Sequence, residues 1–208
     1  MVSKVIPQLH VITDTSGGKY SHEELARFAL EGGADVIQLR DKTLPSRELV
    51  RIARNIRALT LEYSASFIVN DRVDIAIASG ADGVHLGQDD LPIAEVCKLM
   101  DDRFVIGVSC GSVEEATEAE QSGANYIGFG HMYPTSSKTK LTPQRTLAEL
   151  TEIVNAVKIP VIAIGGITID RIGELLEAGA AGIAVIGAVC NSSDPKTATH
   201  TLRQAFEQ

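Results

Sequence analysis

Gly33-Ala34-Asp35-Val36-Ile37-Gln38-Leu39-Arg40 decides the fold, because the chain writes it again three times. It returns as Gly80-Ala81-Asp82 before GVHLG (Gly83–Gly87) and as Gly123-Ala124-Asn125 before YIGFG (Tyr126–Gly130). The last copy is Gly179-Ala180-Ala181 before GIAVIG (Gly182–Gly187). Each leading glycine falls where a helix should end, at the position that favours a left-handed backbone. Each apolar run that follows is short and continuously hydrophobic, which is how a strand buried on both faces of a parallel sheet reads.

Four further strand candidates lie between these: Leu9–Thr13, Ser66–Asn70, Phe104–Val108 and Val161–Ile164. Amphipathic segments separate them. Ser21-His22-Glu23-Glu24 and Ser112-Val113-Glu114-Glu115 match a capping box at a helix start. Ser46–Glu62 carries Leu49, Ile52, Ile56 and Leu59 on one stripe. Ser193-Asp194-Pro195 opens the last helix with proline in its first turn. Strand–helix units repeated in this order, with the tag on every second strand, predict an α/β protein: a single (β/α)8 TIM barrel spanning residues 1–208 as one domain. An open doubly wound sheet is the alternative, and it suits a tag on alternating units less well.

Composition narrows the partners. The net charge of −8 argues against a general nucleic-acid surface or an anionic membrane. An anion must then be held by local devices such as a few placed cations, backbone N–H groups or a metal. No apolar stretch is long enough to span a membrane, and Met1–His10 lacks the run of a signal peptide. Cys97, Cys110 and Cys190, odd in number and widely spaced, suit a reduced cytoplasm and read as small buried apolar residues.

Barrel active sites lie at the C-terminal ends of the strands. Polar residues gather there at nearly every unit: Gln38–Lys42, Asn70-Asp71-Arg72, Gly87–Asp90, Ser109, His131–Lys140, Gly165-Gly166 and Gly187. Gly165-Gly166 and Gly187-Ala188 can bring backbone and helix N-termini to a phosphate. Arg40, Lys42 and Lys138 supply positive charge. Asp71 can pair with Asp90 or Asp89 to hold Mg²⁺, which takes its other ligands from water and substrate phosphate. His85, inside the fourth strand, reads as a satisfied core residue. His131 opens the long loop after the sixth strand, where a histidine can act as general acid or base.

The motifs QLRDK (Gln38–Lys42), VNDRVD (Val69–Asp74), DGVHLGQDD (Asp82–Asp90), GVS (Gly107–Ser109), PTSSK (Pro134–Lys138) and AIGGI (Ala163–Ile167) follow one another at the strand ends. In this order the chain resembles the thiamine phosphate synthases over essentially its whole length. The resemblance implies a Mg²⁺-dependent cytoplasmic transferase. It would join 4-amino-2-methyl-5-(diphosphooxymethyl)pyrimidine to a thiazole phosphate and release pyrophosphate. It implies that Gln38, Leu39, Arg40, Asp41, Lys42, Asn70, Ser109 and Lys138 hold the pyrimidine diphosphate, with Arg40, Lys42, Ser109 and Lys138 catalytic. Asp71 and Asp90 would bind Mg²⁺, and Thr135, Ser136, Ser137, Gly166, Ile186 and Gly187 the thiazole phosphate. Small molecules are then the partners, and a homo-oligomer is compatible with this. A histidine after Phe129-Gly130 is also similar to the related thiazole tautomerases, which makes His131 the acid/base of an alternative reading. A non-catalytic thiamine phosphate-binding protein, needing the phosphate cradle but not Asp71 and Asp90, is a third.

Overall fold

The computed structural model describes residues 8–100, 104–135 and 143–206. Eight parallel strands close into a barrel in chain order: β1 (Leu9–Thr13), β2 (Val36–Leu39), β3 (Ser66–Asn70), β4 (Gly83–Leu86), β5 (Val105–Cys110), β6 (Tyr126–Gly130), β7 (Val161–Ile164) and β8 (Gly182–Val185). β8 pairs back onto β1, Leu9 opposite Ile183 and Val11 opposite Val185. The fold is therefore the expected (β/α)8 barrel. β5 starts one residue later than expected and runs on to Cys110, while β2, β4 and β8 end one or two residues before their apolar runs do.

The helices are α1 (His22–Glu31), α2 (Ser46–Glu62), α3 (Val73–Ser79), α4 (Ile93–Leu99), α5 (Val113–Gln121), α6 (Leu147–Ala156), α7 (Ile172–Glu177, entered through a 3₁₀ turn at Ile169–Arg171), α8 (Gly187–Cys190) and α9 (Pro195–Gln204). The short helix α8 at the end of β8 was not legible in the sequence. None of the described helices is long and apolar enough to cross a membrane.

The repeat has a structural job. Gly33, Gly80, Gly123 and Gly179 all hold positive φ, from 68° to 106°. The residue two places on donates its N–H to a carbonyl near the start of the preceding odd strand. The pairs are Asp35 to Leu9, Asp82 to Phe67, Asn125 to Ile106 and Ala181 to Val161. In three units the side chain completes the clasp by accepting the N–H of that same residue. Asp35 takes Leu9 at 3.0 Å, Asp82 takes Phe67 at 2.8 Å and Asn125 takes Ile106 at 2.8 Å. Ala181 has no side-chain acceptor to offer. The tag thus binds each even strand to the odd strand before it.

Residues alternate along the strands between two cores. Val11, Ile37, Leu39, Phe67, Val69, Val84, Ile127 and Phe129 pack outward against the helices. Ile12, Tyr126, Ile162 and Ala184 form a smaller cluster inside. Tyr126 fills the barrel so closely that a Cβ on Gly107 would lie 2.0 Å from its ring. Of the cysteines, Cys110 and Cys190 are buried as expected, but Cys97 is exposed.

Candidate active site

The segment after β2 is tied to the strands on either side of it. Arg40 Nη1 lies 2.9 Å from Asp14 Oδ2, just past β1, and Lys42 Nζ lies 3.2 Å from Asp71 Oδ2, just past β3. Asp14 was not anticipated; the register of β1 on β2, Thr13 opposite Leu39, sets it beside Arg40. Arg40 Nε is buried with no hydrogen-bond partner among the described residues. Leu39 turns away from the rim. It is 1% exposed in the outer core, so what it can offer a substrate is backbone. Asp41 is likewise committed locally: its Oδ1 accepts from Thr43 N–H, the Thr43 hydroxyl and Leu44 N–H.

Asp71 sits at φ 61°, a left-handed backbone that aspartate tolerates better than most residues. Its N–H donates to His85 O at 2.8 Å. That turn brings its carboxylate against Asp90, whose Oδ2 accepts Gly87 N–H at 2.6 Å. Burial raises the Asp90 carboxyl above the ordinary range; the Gly87 N–H opposes this, and the adjoining Asp71 charge adds to it. The two carboxylates thus meet at one point of the rim, with Lys42 the cation beside them. Asp89, the competing candidate, is exposed, and the contact is made by Asp90. No cluster of three or more His, Cys, Asp or Glu occurs among the described residues. Two acidic ligands beside cations that can hold phosphate suit Mg²⁺ better than a metal needing a full protein cage.

A cavity of about 240 Å³ opens at the barrel axis, lined by Gln38, His85, Gln88, Ser109, Tyr126 and Arg145 among others. His85 belongs to it, contrary to its reading as core. Its Nδ1 meets Tyr126 Oη and its Nε2 meets Ser109 Oγ, both at 2.9 Å. Ser109 is therefore the outer end of a hydrogen-bonded file running Tyr126–His85–Ser109. Full burial pushes the Tyr126 phenol well above its usual range, so it stays protonated. Gln88 donates to Ser109 O at 2.7 Å, a contact that the side chain's exposed position in the loop gave no reason to expect. Asn70, 8% exposed, lies in register with His85 at the same rim.

A second cavity, about 310 Å³, opens at the ends of β7 and β8. His131, Pro134, Thr135, Gly165, Gly166, Ile186, Gly187 and Asn191 are among its lining residues. The loop after β6 runs along β7: Met132 N–H donates to Ile164 O and Tyr133 N–H to Gly165 O. This is what Gly165 and Gly166 are for. Both hold positive φ, and a Cβ on Gly166 would lie 2.4 Å from Pro134 O. The expected close approach is made by the loop itself, which thereby becomes a wall of the cavity. In the opening turn of α8, Gly187 and Ala188 N–H lie outside the helix's own bonds and border the same space. His131 Nδ1 is buried there with no partner among the described residues. Ser136, Ser137 and Lys138 fall outside the described residues.

The two cavities share Ile164 and Ala184. The rim thus places a cation-and-carboxylate patch, an axial pocket and a glycine-lined pocket side by side.

Known proteins resemble this chain in sequence and in fold. Residues 9–189 match the family model for thiamine monophosphate synthase. The chain is similar to the thiamine-phosphate synthase of Methanoculleus marisnigri, with 49% identity over 196 residues covering 94% of this chain and 93% of the relative. It is similar to that of Pyrococcus horikoshii, with 48% identity over 203 residues covering 97% and 95%. Among solved structures it is similar to a thiamine phosphate pyrophosphorylase from Pyrococcus furiosus, with TM-score 0.88 and 45% identity over 99% of this chain and 96% of that one. A 3-hexulose-6-phosphate synthase, TM-score 0.75 at 21% identity over 96% and 99%, shares the fold.

Proposed function

The chain belongs to the thiamine monophosphate synthase family and is a transferase that makes thiamine phosphate; on that premise we propose how its rim divides the work. The axial cavity takes the pyrimidine ring of 4-amino-2-methyl-5-(diphosphooxymethyl)pyrimidine, with Gln38, Asn70 and Ser109 around it. The diphosphate extends over the ends of β2 and β3, where Arg40 and Lys42 receive it and Lys138 closes from the loop after β6. The cavity at β7 and β8 takes the thiazole phosphate. Its phosphate rests on Gly166, Gly187 and the backbone at Ile186, with Thr135, Ser136 and Ser137 contributing from the loop.

The observation that carries this reading is the shared wall at Ile164 and Ala184. Occupants of the two cavities meet across it, the pyrimidinylmethyl carbon on one side and the thiazole nitrogen on the other. The C–O bond to diphosphate breaks, and its electron pair leaves with the diphosphate oxygen. The pyrimidine ring stabilises the cation left behind. The nitrogen lone pair then forms the new C–N bond, giving thiamine phosphate and pyrophosphate. No proton has to move in bond making, so a rim without a nucleophile–base pair is chemically sufficient. The protein's task is to orient both partners and meet the charge of the leaving diphosphate with Arg40, Lys42 and Lys138. Mg²⁺ held by Asp71 and Asp90 would supply further charge neutralisation on that diphosphate. Ser109, fixed by His85 and Tyr126, presents a hydroxyl whose orientation does not depend on solvent.

The test is direct. Purified protein with both substrates and Mg²⁺ should release pyrophosphate and thiamine phosphate in equal amounts. Asp71→Ala should abolish Mg²⁺-dependent turnover, whereas His131→Ala should keep most of it. Failure of the folded protein to form product sinks the reading. Loss with His131→Ala of only an isomerisation of the thiazole substrate would instead favour the tautomerase alternative, for which the unpartnered His131 Nδ1 is the supporting observation.

A further inference from the structure

His22 is a buried titratable side chain that none of the chemistry above uses. It is the first residue of α1 and only 2% exposed. A helix's first turn normally faces solvent, so a histidine enclosed there needs partners. It has two. Nδ1 lies 2.8 Å from Thr13 Oγ, at the end of β1, and Nε2 lies 3.2 Å from Asp41 Oδ2, just past β2. Thr13 Oγ is also 3.4 Å from Gln38 O. One imidazole therefore joins the ends of two neighbouring strands to the start of the helix between them.

Asp41 sits between Arg40 and Lys42 in sequence. Its Oδ1 folds the segment into a turn through Thr43 and Leu44, but those bonds are local and fix only the turn's shape. The contact through Oδ2 fixes the turn's place on the barrel. Arg40 and Lys42 are held by ion pairs to Asp14 and Asp71. An incoming diphosphate competes with both of those carboxylates for the two cations. The His22–Asp41 contact is buried on both sides, 2% and 9% exposed, and can persist through that competition.

We propose that His22 is a positioning residue for diphosphate binding. By anchoring Asp41 it holds Arg40 and Lys42 in place when their ion pairs to Asp14 and Asp71 give way to substrate. The depressed Asp41 carboxyl agrees with this, since it stays ionised and ready to accept from the imidazole at any working pH. The proposal rests on the assignment of Arg40 and Lys42 to the diphosphate.

The experiment uses the full chain and two readouts: steady-state KM for each substrate, and calorimetric affinity for inorganic pyrophosphate with Mg²⁺. His22→Leu keeps apolar bulk but removes both hydrogen bonds. His22→Gln keeps an N–H donor at about the reach of Nε2. Arg40→Ala serves as the control for the underlying assignment. We expect His22→Leu to weaken pyrophosphate, and to raise KM for the pyrimidine diphosphate, about tenfold, with KM for the thiazole phosphate within about twofold of the parent. His22→Gln should recover most of that loss. If His22→Leu does not fold, His22→Asn, whose shorter amide falls short of Asp41, makes the same comparison.

Unchanged pyrophosphate affinity in His22→Leu, with Arg40→Ala weakened as expected, overturns the role of His22 and leaves the diphosphate assignment standing. Equal loss for both substrates, or no recovery with His22→Gln, also overturns it, because a merely structural histidine would behave so. If Arg40→Ala itself binds pyrophosphate as the parent does, the assignment fails and the proposal with it.

Discussion

Asp41 shows how one residue can be pulled in opposite directions with a definite winner. Burial alone would raise its carboxyl. The N–H groups of Leu44 and Thr43, with His22 and the Thr43 hydroxyl, outweigh that and hold it at about 2, below its ordinary 3.8. A carboxyl depressed on folding contributes stability that is full above its unfolded value and is lost as pH falls through the folded one. The protein should therefore lose stability between about pH 4 and pH 2 through this residue. Asp41→Asn should flatten that part of a stability-against-pH curve measured by chemical denaturation. At this scale the sequence told only part of the story. Arg40, Lys42 and Asp71 could be found because a charged residue immediately after an apolar run has to emerge at a barrel rim. Asp14 and Tyr126 could not be found. Asp14 reaches Arg40 through the register of β1 on β2, and Tyr126 on β6 reaches His85 on β4 across the barrel interior, past the strand between them. His85 looked like core by its place within a strand, and its two nitrogens are indeed satisfied. What the sequence could not say is that one of its partners is a rim hydroxyl.

At the scale of elements, capping chemistry was largely visible and failed in an instructive way. Ser21 and Glu24 form the full reciprocal box. Ser112 accepts Glu115 N–H, but the Glu115 carboxylate goes to Gly111 N–H at 2.6 Å instead of closing the box. Thr146 and Glu149 form a second complete box, for which Thr146-Leu147-Ala148-Glu149 carries the sequence pattern. The clasps on the even strands were legible as a repeat but not as hydrogen bonds, because their partners lie in the preceding strand. They differ in strength. Asp82 accepts Phe67 N–H and also binds Arg57 through two bonds of 2.7 and 2.9 Å. Asn125 is a neutral acceptor for Ile106 N–H. Asp82→Ala should cost about 2–3 kcal/mol and Asn125→Ala about 1 kcal/mol, read from urea denaturation midpoints at constant m.

For the whole molecule, the closed barrel followed from eight buried runs with a tag on alternate ones. The division of its rim into two cavities did not, since the wall between them is built by Ile164 and Ala184, apolar residues indistinguishable in sequence from the rest of the core. The tag itself carries a last consequence. The side-chain clasps make three two-strand modules, β1–β2, β3–β4 and β5–β6, whereas β2–β3 and β4–β5 are joined at the same level by a backbone bond, Ser66 N–H to Asp35 O and Val105 N–H to Asp82 O. Near the ends of the chain, Gln8 N–H and Arg203 Nη1 converge on the single carboxylate of Asp35, at 3.2 and 2.8 Å. A short peptide could therefore splice tail to head and let the chain be opened elsewhere. A circular permutant opened near Ser64, between modules, should fold and retain turnover. One opened at Arg72, which parts Phe67 from Asp82, should unfold at lower denaturant. The chain's seams thus follow the side chains of Asp35, Asp82 and Asn125, which reach back to the strand before.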